Sequence, residues 1–168
     1  MRLISAVLLV LCGGILGVWL STWYKRRVEA LSCCMLFLER MAALLSLETV
    51  PTGELFARLA AMEELKELSF VRETAERLTV SCDFPTVFMG SLAFAQKDGL
   101  LPEDCAILKP LCGLIGAYEL PRQLDGIEAV KTAVSSQQKK AKSISEKEGK
   151  LVRSLGILGG VAAAIFVI

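Results

Sequence analysis

Residues 28–45 read VEALSCCMLFLERMAALL. Val28, Leu31, Met35, Leu38, Ala42 and Leu45 recur at alternating spacings of three and four. That period lays an apolar stripe along about five turns of α-helix, and it is incompatible with the alternation of a half-buried strand. Nothing on the N-terminal side interrupts this helix, so it is expected to continue backwards into the start of the chain.

The first residues are MRLISAVLLVLCGGILGVWLSTWYKRR, and the twenty-two from Leu3 to Tyr24 carry no charge. As a helix they rise roughly 33 Å, enough for a hydrocarbon core of about 30 Å. Both tryptophans of the chain, Trp19 and Trp23, lie at the far end with Tyr24, and Lys25, Arg26 and Arg27 follow at once. Aromatic residues and then cations are what a membrane border carries. A cleaved signal peptide is the rival reading. It fits poorly, because the apolar stretch is too long and no A-x-A site follows. A lipoprotein at Cys12 is weakened by the bulky Leu11. A retained transmembrane helix is expected over residues 1–24.

Downstream, TVPTGE (49–54) breaks the first helix, since Pro51 and Gly53 sit badly in a helix interior. A short helix is expected from about Glu54 to Met62, and another from Glu64 to Thr79 with Leu68, Val71, Ala75 and Leu78 on one side. SCDFP (81–85) ends that helix. Pro85 suits the first turn of the next, which should end near Gly99. Pro102 opens a further helix, with Glu103 and Asp104 near its positive end. Pro110 kinks or splits it before Gly116 ends it. From about Glu119 the pattern Leu120, Leu124, Ile127, Val134, Ala141 runs on towards the tail. The fold class predicted is all-α. A compact bundle of about six helices (residues 25–150) lies between an N-terminal and a C-terminal transmembrane helix.

The C-terminal helix is the harder reading. After Arg153 the chain ends in SLGILGGVAAAIFVI, fifteen residues without a charge. Fifteen residues rise only roughly 22 Å. Leu151 and Val152 extend this, and Arg153 can snorkel. A core helix is the alternative, disfavoured because Leu155 to Ile168 has no polar face. A second span is therefore expected over 151–168. Residues 139–153, KKAKSISEKEGKLVR, hold six basic and two acidic side chains. Both spans are thus flanked by cations on their inner-chain sides, which puts the bundle in the cytoplasm and both termini across the membrane.

Residues 28–130 hold sixteen acidic and eight basic side chains, whereas 131–153 hold seven basic and two acidic. An acidic body above a basic collar is a common solvated arrangement. It also suits a collar on anionic headgroups and a body that meets a basic partner. Nucleic-acid binding is not expected, because no aromatic residues are interleaved with the cations.

The chain has no histidine, which removes Ser-His and Cys-His catalysis and the commonest metal ligand. Six cysteines (12, 33, 34, 82, 105 and 112) show neither C-x-x-C pairs nor a disulfide framework. The segment ISEKEGKL (144–151) is not a phosphate loop, since Ile144 stands where a glycine is required and Leu151 where Ser or Thr is. No reaction centre emerges, and no catalytic residue, metal or cofactor is expected. Two small-residue pairs, Gly13 with Gly17 and Gly156 with Gly160, have the spacing that lets membrane helices approach closely, although glycine is common in such helices.

Several longer phrases carry a resemblance. They are LERMAALLSLETVPTGELFARLA (38–60), DGLLPEDCAILKPLCGLIGAYELPRQLDGI (98–127) and GKLVRSLGILGGVAAAIFVI (149–168), set in the two-anchor frame. In these the chain resembles the stage III sporulation protein AB family of endospore-forming bacteria, relatives of the type II secretion system F domain. Leu111, Gly116, Glu119 and Gln123 match one family phrase; Asp104 and Leu108 fall in the one before. The family often has tryptophan where Phe88 stands, and aspartate rather than Glu119. The resemblance implies a platform subunit in the mother-cell membrane around the forespore, within a secretion-like complex. Its helical bundle would dock a cognate secretion-type ATPase and other membrane subunits, and homo-oligomers are possible partners too. Glu119 and Gln123, one turn apart, are candidates to face a partner. Their more ordinary roles are favouring the helix's positive end and satisfying nearby backbone groups. The competing function is a self-associating structural or signalling membrane protein, which the 28–45 stripe would serve equally well.

Overall fold

A computed structural model describes the backbone of residues 2–47, 50–81 and 83–167, and the side chains of 22–47, 50–81 and 83–147. The helices are α1 (Arg2–Leu47), α2 (Thr52–Ala60), α3 (Ser69–Leu78), α4 (Phe84–Ser91), α5 (Pro102–Leu108), α6 (Leu111–Leu114) and α7 (Leu120–Val167). Two 3-10 segments, Glu63–Leu65 and Leu92–Asp98, complete them, and no strand occurs among the described residues. α1 and α7, of 46 and 48 residues, are the long elements at either end. The chain divides into two compact units: Glu29–Gln138, and Met1–Val28 together with Lys139–Ile168.

The Glu29–Gln138 unit is built on phenylalanine. Phe37, Phe56, Phe70 and Phe88 are fully buried and Phe84 nearly so. Phe37 meets Phe70 edge-on at 5.5 Å between ring centroids, and Phe88 meets Phe70 at 6.1 Å and Phe56 at 5.8 Å in the same manner. Each such pair contributes about 0.5–1.5 kcal/mol beyond the area it buries. α1, α2, α3 and α4 each supply at least one ring, so this cluster is what sets their packing.

The rings also explain where α1 turns its face. Leu31, Leu38 and Leu45 are buried as the spacing predicts, but Val28, Met35 and Ala42 are only half-buried. Ala30, Cys34, Phe37 and Met41 are buried instead. The core-facing direction is rotated by about 70° from the one read off the sequence, at 100° per residue. Phe37 is larger than any of Val28, Met35 and Ala42, and the helix turns to bury it among the other rings. α7 completes this side with Ile127, Val130 and Val134. Gln138 Nε2 donates to Ser32 Oγ at 2.8 Å, and Lys131 pairs with Glu39 at 3.3 Å.

Other departures each have a specific cause. The helix expected from Glu64 to Thr79 is broken: a 3-10 turn precedes Leu68, and α3 starts at Ser69. The start is set from outside the segment. Asp98 Oδ2 accepts the Ser69 backbone N–H at 2.8 Å, and Ser69 Oγ lies 2.8 Å from Asp98 Oδ2 and 3.0 Å from the Phe94 carbonyl. An anionic cap at a helix start is favourable, but no local pattern announces one that arrives from twenty-nine residues downstream. The helix expected from Pro85 to Gly99 tightens into 3-10 form at Leu92, and Gly99 ends it at φ 101°. Pro102 opens α5, Pro110 separates it from α6, and Gly116 follows α6 at φ 76°. Asp104, 2% exposed, accepts the Leu101 N–H at 2.9 Å, which satisfies a first-turn donor of α5.

α7 approaches α6 closely. A Cβ added at Gly126 would stand 2.3 Å from Leu114 Cδ2 and 2.9 Å from its Cγ. Gly126 is thus a contact site, which the sequence pattern does not reveal.

Among the described residues one helical stretch, Thr22–Leu47, is long and apolar enough to cross a membrane by length and composition. From Ala30 onward, however, Leu31, Phe37, Leu38, Met41 and Leu45 of this stretch line the core just described. The side chains of residues 1–21 and 148–168, and with them Gly13, Gly17, Arg153, Gly156 and Gly160, lie outside the described residues. Of the expected membrane-border residues, Trp23 is 60% exposed, Lys25 and Arg26 are exposed, and Arg27 is half-buried.

Candidate functional site

Two chain breaks meet in the Glu29–Gln138 unit. The first is the turn between α1 and α2 at Val50–Pro51; the second is the turn between α6 and α7 at Ile115–Glu119. Between them lies a cleft of about 330 Å³, lined by Leu45, Val50, Thr52, Leu55, Ile115, Tyr118, Leu120 and Gln123 among others. Its volume is at the lower end for a binding pocket. Leu47, Tyr118 and Leu120, close to these breaks in sequence, are exposed.

The second turn is held by backbone conformation and by one side chain. Gly116 sits at φ 76°, a left-handed conformation that a Cβ would strain, and an added Cβ would also meet Thr52 Oγ1 at 3.0 Å. Gln123 closes the loop from both ends of its amide. Its Nε2 donates to the Tyr118 carbonyl, and its Oε1 accepts the Gly116 N–H at 3.4 Å. The Gln123 backbone N–H donates to the Glu119 carbonyl at 3.1 Å, starting α7. Arg122 places its guanidinium 4.2 Å from the Tyr118 ring centroid, a cation–π contact that fixes the ring at the cleft's edge.

The two candidate residues therefore differ. Gln123 lines the cleft while spending its amide on the loop. Glu119 is exposed and precedes α7, where its charge favours the positive helix end. Thr52 and Tyr118 were not singled out by sequence reasoning. Pro51 and Gly116 marked both breaks, but only the fold shows that the breaks adjoin.

The chemistry available is limited. No group of three or more acidic or cysteine side chains placed to hold a metal occurs among the described residues. Burial raises the thiol pKa of Cys33, assisted by Glu67 and Glu29. Burial raises Cys34 well above the usual value, and burial also raises Cys105 and Cys112. Four thiols held in the protonated form are poor nucleophiles. The surface instead carries ion pairs: Arg40 grips Glu64 through Nε and Nη2 at 2.9–3.1 Å, Arg58 pairs with Glu54 at 2.6 Å and Arg77 with Glu73 at 2.6 Å. The Arg40 and Arg58 pairs are about half exposed on both partners and the Arg77 pair on its arginine, so each contributes little to stability.

A family model described as stage III sporulation protein AB matches residues 2–168. The chain belongs to that family. The match runs through both long helices and every short one, and it includes the loop that Gln123 closes. No curated protein and no solved structure gives a significant match.

Proposed function

We propose that this chain is a non-enzymatic membrane platform subunit of a secretion-like sporulation complex between mother cell and forespore. Its acidic bundle docks a cognate secretion-type ATPase and connects it to other membrane subunits. In this reading residues 1–24 and 151–168 cross the mother-cell membrane, with residues 25–150 on the cytoplasmic side and both termini opposite.

The observation that carries the proposal is the chain-long family match on a body of buried phenylalanines and protonated thiols. The surplus of acidic over basic residues in 28–130 suits a basic partner. The cleft, with Glu119 beside it and Tyr118 and Leu120 at its edge, is the docking face favoured here. It combines an apolar cavity with polar groups fixed on a rigid loop.

The test is binding of the full chain, in detergent or nanodiscs, to the secretion-type ATPase of the same organism at low and moderate salt. Saturable binding that weakens with salt is expected. Absence of binding by a folded, inserted chain refutes the ATPase partnership.

A further inference from the structure

Lys139, Lys140, Lys142 and Lys147 are all exposed on α7, whereas Ala141 among them is buried at 3% exposure. At about 100° per residue the four lysines fall in an arc of about 160°, centred almost opposite Ala141. One face of this stretch is packed and the other carries the four lysines, with the exposed Glu146 the one acidic residue inside their arc, so the face is net cationic. Lys131, by contrast, is neutralised by Glu39 and Glu128. In sequence, Lys150 and Arg153 continue the run, and Lys25, Arg26 and Arg27 belong to the same compact unit.

Height along the helix decides what these cations can reach. Counted back from Leu151, Lys147 stands about 6 Å, Lys142 about 14 Å and Lys139 about 18 Å above the start of the uncharged end. The headgroup layer is about 5–7 Å thick, and the field of anionic lipid reaches roughly a Debye length of 8 Å further. Lys147 therefore lies among headgroups, Lys142 within the field, and Lys139 and Lys140 at its fringe. Charge complementarity together with this proximity to the uncharged end favours anionic lipid as the occupant.

We infer that the exposed cationic face of α7 at Lys142 and Lys147 is a docking surface for anionic phospholipid headgroups, which gather around the chain and set its height in the bilayer. This rests on the membrane reading above. The experiment keeps the two separable. The full chain is reconstituted into vesicles of phosphatidylcholine with a minor fraction of phosphatidylglycerol. Insertion is checked by resistance to carbonate extraction, and the lipid retained on the protein after mild solubilisation is quantified. With about a fivefold preference per lysine near the surface, phosphatidylglycerol should be enriched about tenfold or more over the bulk, and less at high salt. The Lys142→Gln/Lys147→Gln chain should lose severalfold of this, down to the level that Lys150, Arg153 and Lys25 to Arg27 sustain, Lys142→Arg/Lys147→Arg should keep it, and Lys139→Gln/Lys140→Gln should keep most of it. Insertion without enrichment, or equal enrichment in all variants, overturns the inference and leaves the membrane reading standing. A larger loss from Lys139 and Lys140 than from Lys142 and Lys147 also overturns it. Failure to insert overturns both.

Discussion

Replacing Gly126 with alanine sets two effects of known sign against each other. A mid-helix glycine costs about 1 kcal/mol relative to alanine, so propensity alone makes the change stabilising. The packing opposes it, because the new Cβ would lie 2.3 Å and 2.5 Å from the two Leu114 methyls and 2.9 Å from Cγ. The methyls could swing aside, but the approach to Cγ requires the whole side chain to leave its position. Overpacking of this kind costs about 1–3 kcal/mol. The net expectation for Gly126→Ala is a loss of about 1 kcal/mol. With Leu114→Ala the obstruction is gone, and adding Gly126→Ala should then stabilise by up to about 1 kcal/mol. The sign reversal, with a coupling of about 2 kcal/mol, is the signature. Helical circular dichroism through urea or thermal unfolding of the four full-length chains in one mild detergent measures it, with a shift of roughly 4 °C per kcal/mol. If Gly126→Ala is stabilising on its own, or has the same effect with and without Leu114, the account of the α6–α7 contact is wrong.

Other expectations follow from the core, the loop and the thiols. Phe88→Ala should cost about 3–5 kcal/mol, because it opens a cavity between the rings of Phe56, Phe70 and Phe84; a loss below 1 kcal/mol in the same unfolding assay would contradict the packed cluster. Gln123→Ala removes both amide bonds of the cleft loop, so hydrogen exchange at Gly116 should accelerate while the core amides stay protected. Gln123→Glu keeps the acceptor for Gly116 but loses the donor to Tyr118, and an intermediate rate is expected. Cys34 has a folded pKa above its unfolded one, so the native state holds its proton more firmly. Its stabilising effect is present below about pH 8.5 and is lost as pH rises beyond it. The urea midpoint should therefore fall between pH 7.5 and pH 9.5, and less steeply in Cys34→Ala; identical slopes would exclude the thiol as the cause.

The helices were legible where the signal is local. The three-four spacing at 28–45, the breaks at Pro51 and Pro110, and the starts at Pro85 and Pro102 each act within one turn of the residue that announces them. The missed features are tertiary. The break before Ser69 depends on Asp98, the rotation of α1 on where Phe37 finds its neighbouring rings, and the role of Gly126 on Leu114. The same division runs through the candidate site. Gly116 and Gln123 could be picked out because a glycine after one helix and a glutamine in the first turn of the next have local uses. Thr52 and Tyr118 could not, since each matters only because the α1–α2 turn adjoins the α6–α7 turn.

The charge distribution separates the two competing functions by the direction of one effect. Residues 28–130 carry twice as many acidic as basic side chains, and the ion pairs of Arg40, Arg58 and Arg77 each consume one of both signs, so they leave the surplus untouched. Copies held in one membrane at one height would bring acidic body against acidic body. Self-association through the bundle must then overcome repulsion, and salt, by screening it, should strengthen the contact. A basic partner is attracted by the same field, and salt should weaken that complex. Raising ionic strength from about 0.05 M to 0.3 M shortens the Debye length from roughly 14 Å to 6 Å, scaled from 10 Å at 0.1 M, which is enough to move either equilibrium. Cross-linking of the reconstituted chain and ATPase binding, measured over that range, should therefore change in opposite directions. A self-association that weakens with salt, in step with ATPase binding, would remove the acidic body as the determinant of partner choice and return attention to the apolar edge of the cleft at Tyr118 and Leu120.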